Sequence, residues 1–127
     1  MLLQEITGEI LDAAIKIHKV LGPGLFESVY EEVMAYELTK RGMIVERQVA
    51  LPVRYEGLTM DVGFRADLII DREVIVEIKS VEAIKPVFKK QVITYLRLTG
   101  YQIGLLINFN EELVKNGITR LINNHVK

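Results

Sequence analysis

The stretch 73–108 constrains the fold of this chain more than any other. Two apolar runs, 73–79 (EVIVEIK) and 102–108 (QIGLLIN), flank a segment of helical period that Pro86 opens and Gly100 ends. Strands joined by a helix pair in parallel, because the crossover returns the chain to the same end of the sheet. The run 102–108 is apolar enough to lie in the middle of that sheet. A further run, 61–70 (DVGFRADLII), is separated from 73–79 only by Asp71-Arg72, so those two strands pair antiparallel across a tight turn. Residues 43–55 alternate and are rich in Val, with Pro52 marking an edge strand or a bulge and Glu56-Gly57 a turn. The tail, 117–122, is predicted as a last edge strand, with a short helix as the alternative.

The N-terminal third is helical. Leu3, Ile6, Ile10, Ala13, Ile17 and Val20 recur at intervals of three and four, which predicts a helix over 2–21 that Gly22-Pro23-Gly24 terminates. Gln4, Glu5, Glu9, Asp12, Lys16 and Lys19 interrupt it at helical intervals, the pattern of an amphipathic helix and not of a secretory leader. A second helix over 26–41 carries Val29, Val33 and Tyr36, with Gly42 placed to cap it. The order is therefore α-α-β-β-β-α-β-β, an α/β chain whose mixed sheet is flanked by helices. At 127 residues, with no linker-like segment, 1–127 reads as a single domain that buries enough surface to fold without a staple.

Composition excludes several classes of function. The absence of cysteine removes disulfide scaffolds, zinc ribbons and thiol catalysis together, and fits a reducing compartment, here expected to be the cytoplasm. No apolar run reaches the roughly 20 residues that span a bilayer. A net charge of -1 gives no global attraction to nucleic acid, so any such binding has to come from a local site.

The local candidates are charged residues placed among apolar ones. Glu77 and Lys79, two apart, project from one face of a strand whose other face carries Val74, Val76 and Ile78. In a hairpin turning at Asp71-Arg72, Asp67 falls within a residue or two of Glu77. Two carboxylates on a buried face repel and raise each other's pKa, a conflict that a hard divalent cation, Mg²⁺ or Mn²⁺, resolves. Lys79 would then stand beside the metal-bound water. A structural ion-pair cluster of Asp67, Glu77 and Lys79 is the alternative. In the helix 86–98, Phe88, Gln91, Val92, Tyr95 and Leu96 form the expected inward stripe, which puts an amide and a phenol over the same strand. Gln91 and Tyr95 could bond a phosphate there, or lie at the stripe's margin and in the core. Glu27, in the first turn of the second helix, either serves the helix dipole or is a third metal carboxylate, with Glu31 as its competitor. His18 reads more readily as a satisfied histidine than as a catalytic one, and His125 lies in the tail.

Gly24-x-x-Glu27-x-x-Tyr30, preceded by His18 and by Leu21-Gly22-Pro23, resembles the GxxExxY protein family, which is placed in the PD-(D/E)XK nuclease superfamily near its RecB-like and Cas4-like branch. The resemblance runs from about Ile6 to Ile122. It includes Phe64-Arg65-Ala66-Asp67, then Glu77-Ile78-Lys79, Gln91-x-x-x-Tyr95 and Leu105-Leu106-Ile107-Asn108-Phe109, in that order. Ala66 stands where the superfamily name has proline.

The resemblance implies a restriction-endonuclease-like core and a metal-dependent nuclease acting on nucleic acid, DNA before RNA, with one or two Mg²⁺ or Mn²⁺ ions. It implies that Asp67, Glu77, the Ile78 carbonyl and Glu27 hold the metal, and that Lys79 is the catalytic lysine. Gln91 and Tyr95 would be the glutamine–tyrosine pair, and His18 and Tyr30 would support the site. Arg65, Lys85, Lys89, Lys90 and Arg97 are candidates for phosphate contacts, or simply a solvated face. A non-cleaving nucleic-acid-binding or complex-forming module on the same fold is the alternative, and a homodimer through helix one or a sheet edge is a further expectation.

Overall fold

The computed structural model describes residues 1–124; His125 lies outside the described residues. The chain runs α1 (Leu3–Leu21), α2 (Glu27–Lys40), β1 (Val45–Tyr55), β2 (Leu58–Ile70), β3 (Val74–Lys79), α3 (Pro86–Thr99), β4 (Ile103–Asn108), a short 3-10 turn (Val114–Gly117) and β5 (Ile118–Ile122). The element order matches the sequence pattern, and the tail forms the predicted strand and not the alternative short helix, with a 3-10 turn at Val114–Gly117 just before it.

The strands form one sheet in the order β1-β2-β3-β4-β5. β3 and β4 are parallel across the α3 crossover, and every other pair is antiparallel. Asp71 and Arg72, at φ 50 and 56°, are both left-handed, and with Glu73 they make a three-residue connection between the paired Ile70 and Val74, one residue longer than the Asp71-Arg72 turn expected from the sequence; the Glu73 N–H donates to the Ile70 carbonyl at 3.0 Å. β1 is an edge strand, and its register against β2 shifts between Leu51 and Val53, so Pro52 marks an edge and an irregularity at once.

Helices cover both faces. α1 and α2 pack on one side through Ile6, Ile10, Ala13, Ile17, Tyr30, Met34 and Leu38 against Leu68, Ile70, Val74, Val76, Ile78, Leu105 and Ile107. α3 packs on the other through Val92, Tyr95 and Leu96 against Leu51, Ala66, Ile69 and Ile75. Lys16 and Arg41 lock α1 to α2 by gripping Glu37, with Arg41 also bonded to Glu9 and Asp12. Those cations hold the Glu37 carboxyl below its usual range, with the Arg41 hydrogen bond the largest cause. Among the described residues, no helix is long and apolar enough to cross a membrane.

Candidate active site at the fork between β2 and β3

β2 and β3 pair only over Leu68↔Val76, Ile69↔Ile75 and Ile70↔Val74. The next two residues out are Asp67 and Glu77, and there side chains take over from the ladder. The Ile78 N–H donates to Asp67 Oδ2 at 2.8 Å, and the Asp67 N–H donates to Glu77 Oε1 at 3.3 Å. The two carboxylates thus occupy the fork where the strands part. Ile78 packs in the α1/α2 cluster and Ile75 in the α3 cluster. Period-2 alternation therefore turns Glu77 and Lys79 toward α3.

Alternation breaks at Asp67. Leu68 and Ile70 belong to the α1/α2 cluster, whereas Phe64 and Ala66, an even number of residues away, contact the α3 cluster. The same reversal occurs on β1, where Val45 packs with the first cluster and Val49 and Leu51 with the second. Between them Gln48 adopts φ 48°, a left-handed conformation that costs a non-glycine residue about 1–2 kcal/mol. Gln48 is bracketed by the pairs Arg47↔Leu68 and Val49↔Ala66, which places it opposite Asp67. Both strands therefore change faces at the fork.

The electrostatics follow from burial. Glu77 is only 6% exposed. That burial, followed by the Asp67 carboxylate beside it, raises its pKa to about 9, so by itself Glu77 holds a proton at neutral pH. Tyr95 is pushed up to about 12, first by burial and then by Glu77 and Asp67, so its hydroxyl stays a donor close to both acids. Its ring stands edge-on to Phe64, 4.9 Å between centroids. Lys79 extends toward α3, its Nζ 4.5 Å from the centroid of the Phe88 ring. Among the described residues no ion pair joins Lys79 to Asp67 or Glu77. A neutralised structural cluster is therefore not what these residues form.

The other expected residues surround this fork at different depths. Glu27 opens α2 and is exposed; its Oε2 accepts the Ser80 N–H at 3.1 Å, while Ser80 Oγ donates to the Leu25 carbonyl at 2.6 Å. Glu27 therefore sits where β3 ends, in an open groove of about 580 Å³ bounded by Gly24, Phe26, Ser80 and Asn110. Gln91 is exposed and does not belong to the inward stripe, which consists of Val92, Tyr95 and Leu96 with half-buried Phe88 at its margin. A helical step of 100° leaves Gln91 at the rim, because Val92 already fills the position facing Gly104. Arg65, Lys85, Lys89, Lys90 and Arg97 are all exposed.

His18 and Tyr30 are scaffold. Tyr30 is fully buried and stacked on Phe109 at 4.4 Å; its hydroxyl donates to the Gly22 carbonyl and accepts the Leu25 N–H at 3.2 Å. Gly24, at φ 95°, supplies the left-handed turn that this loop needs. The spacing Gly24-x-x-Glu27-x-x-Tyr30 thus has a physical reading: glycine turns the chain, tyrosine pins the loop, and glutamate is delivered to the end of β3. His18 Nε2 lies 2.8 Å from the Glu111 carbonyl oxygen and supports the same Phe109.

A second acid lies one helical turn behind Glu27. Glu31 is 8% exposed, and its Oε2 accepts two bonds from the Arg47 guanidinium, at 3.2 and 3.1 Å. Its Oε1 accepts from the Gln48 amide, whose Nε2 also donates to Asp67 Oδ1 at 3.2 Å. Sequence periodicity gives no hint of Gln48, which is one polar residue on an edge strand; only its place opposite Asp67 gives it meaning.

Among the described residues no three His, Cys, Asp or Glu side chains converge as a cation cluster. The donor set at the fork is the pair Asp67 and Glu77, with Glu27 standing apart on Ser80. Opposed carboxylates, one driven to keep its proton by burial and by the other, are hard oxygen donors whose conflict a divalent cation relieves, so the residues fit such an ion.

No curated protein and no solved structure matches the chain. The mixed sheet with helices on both faces is consistent with an α/β restriction-endonuclease-like fold. The model of the PD-(D/E)XK nuclease superfamily matches residues 4–121, so the chain belongs to that superfamily.

Proposed function

We propose that this protein is a metal-dependent nuclease that hydrolyses phosphodiester bonds of nucleic acid, DNA before RNA. The observation that carries the reading is the Asp67–Glu77 pair at the fork, with Lys79 two residues along the same face. Asp67, Glu77 and the Ile78 carbonyl would hold one Mg²⁺ or Mn²⁺, and Glu27 a second or a water of the first. A bound ion supplies Lewis-acid polarisation of the phosphate and a water acidic enough to attack at neutral pH.

The chain's own groups do the rest. The Lys79 ammonium, fixed on the Phe88 ring, neutralises charge on the phosphate and positions the nucleophile. Its compact charge suits that role. Tyr95 remains protonated and can donate to a phosphate oxygen as charge develops. Gln91, at the rim one turn earlier, presents its amide to the same phosphate or its neighbour. The exposed cations Arg65 on β2 and Lys85, Lys89 and Lys90 at the start of α3 would supply contacts to backbone phosphates. Membership of the GxxExxY family near the RecB-like branch rests on the Gly24, Glu27 and Tyr30 arrangement and on the Gln91/Tyr95 pair.

The test is cleavage of labelled single- and double-stranded DNA and of RNA in Mg²⁺ and in Mn²⁺, with Glu77→Ala purified in parallel. Cutting that is abolished both by chelator and by Glu77→Ala supports the reading. Equal cutting by both proteins refutes the residue assignment. No cutting, with DNA retarded in chelator, replaces the nuclease by a non-cleaving binding module.

A further inference from the structure

The fork is buttressed from β1, and the buttress reaches back to α2. Asp67 has one oxygen on each side: Oδ2 takes the Ile78 N–H of β3, and Oδ1 takes the Gln48 amide of β1. The same Gln48 nitrogen donates to Glu31 Oε1, so one NH₂ group spans two carboxylates. Glu31 is in turn clamped through its other oxygen by Nε and Nη2 of Arg47. The Gln48 backbone is fixed as well, because Arg65 Nη1 donates to its carbonyl oxygen at 3.2 Å while the residue is held at φ 48°.

Each feature has an ordinary cost. A left-handed non-glycine residue within a strand is strained. A buried glutamate needs partners, and an amide that serves two acids cannot swing freely. Together they form a chain, Arg47–Glu31–Gln48–Asp67, that ends on the carboxylate at the fork. We propose that Gln48 is a positioning residue of the metal centre: it sets the direction of Asp67 from α2 through Glu31. The orientation of the acid thereby follows the helix that also carries Glu27. Metal ligands held by hydrogen-bonded partners lose affinity when those partners are removed, typically 10–100-fold.

This inference rests on the nuclease reading for the presence of the metal, and the test separates the two. Mn²⁺ is titrated calorimetrically into the full chain and into Gln48→Met, which keeps the length and flexibility of the side chain at an exposed position but has no N–H to donate. Glu31→Ala and the double variant complete a cycle, and Glu31→Gln, which retains an acceptor for Gln48, serves as the conservative control. Metal-free melting of every variant reports whether folding is intact.

Gln48→Met should bind Mn²⁺ about 10-fold or more weakly, with a metal-free melting curve close to that of the parent chain. Glu31→Ala should weaken binding similarly, and the double variant should be no weaker than the worse single one, because both act along one path. Glu31→Gln should retain most of the affinity. Parental Mn²⁺ affinity in Gln48→Met, or additive losses in the double variant, would overturn the positioning role and leave the nuclease reading standing. If the parent chain itself binds no Mn²⁺, the nuclease reading fails and this inference falls with it.

Discussion

Glu77 is a buried acid whose titration its surroundings displace far upward, and its behaviour is measurable without any substrate. Its carboxyl titrates near 9 in the folded chain and near 4.5 when unfolded, so the native state binds its proton more tightly. The resulting stabilisation is fully present below pH 4.5 and is lost as the pH rises through about 9. Metal-free melting should therefore fall by about 5 °C or more from pH 5 to pH 9. Glu77→Gln should flatten the curve and melt higher than the parent at the alkaline end; a parallel decline in both proteins would show that other groups dominate. Lys79 makes a different prediction. Lys79→Ala should leave Mn²⁺ affinity within a few-fold while lowering kcat by about 10²–10³, the usual loss of one charge-stabilising donor. Cleavage kinetics beside calorimetry check both halves.

At the scale of elements, two junctions hold the site in shape. The loop between α1 and α2 is tied to Tyr30, so Tyr30→Phe leaves the Gly22 carbonyl and the Leu25 N–H without their side-chain partner in a partly buried setting. A cost of about 1–2 kcal/mol in urea unfolding is expected, with a fall in activity because Glu27 is carried by the same turn. The second junction is α3 on β4. A Cβ at Gly104 would stand 2.5 Å from Val92 Cγ1. Gly104→Ala should therefore cost about 1–3 kcal/mol by overpacking and should lift the helix that brings Tyr95 over the fork. The β1–β2 arm behaves differently. It pairs from Val45↔Ile70 out to Tyr55↔Leu58, whereas β3 meets β2 only from Leu68 to Ile70. Its outer part therefore has strand neighbours on one side alone and should exchange its amide protons long before β3 and β4, which exchange experiments will show.

For the molecule as a whole, ligand linkage is the cheapest assay of the functional reading. A divalent cation that binds only the folded chain should raise its stability by about 2.7 kcal/mol at a hundred times Kd, and chelator should remove the gain. No stabilisation by Mn²⁺ or Mg²⁺ would contradict the donor-pair interpretation. The net charge of -1 carries a second consequence: nucleic acid must be held by a few local cations. The dependence of DNA binding on salt should accordingly correspond to only a handful of phosphate contacts.

The order of elements, the parallel β3–β4 pair and the approach of Asp67 to Glu77 are legible in the sequence, because each follows from short-range rules. Helical period against period 2, Pro86 and Gly100 as punctuation, and a short turn after Ile70 fix those features to within a residue without knowledge of any distant contact; the third turn residue, Glu73, sets Asp67 opposite Glu77. Of the two places the pattern allows Gln91, the inward stripe or its margin, the structure takes the margin: at the edge of an amphipathic stripe one helical step separates core from rim, and packing of Val92 against Gly104 decides which. Tertiary structure alone decided the rest. The separation of Glu27 from the fork depends on Ser80, more than fifty residues away in sequence. The reversal of both strands at Gln48 and Asp67, and the chain of bonds from Arg47 to Asp67, join α2, β1 and β2. No periodicity encodes a hydrogen bond between elements that meet only after the sheet has closed.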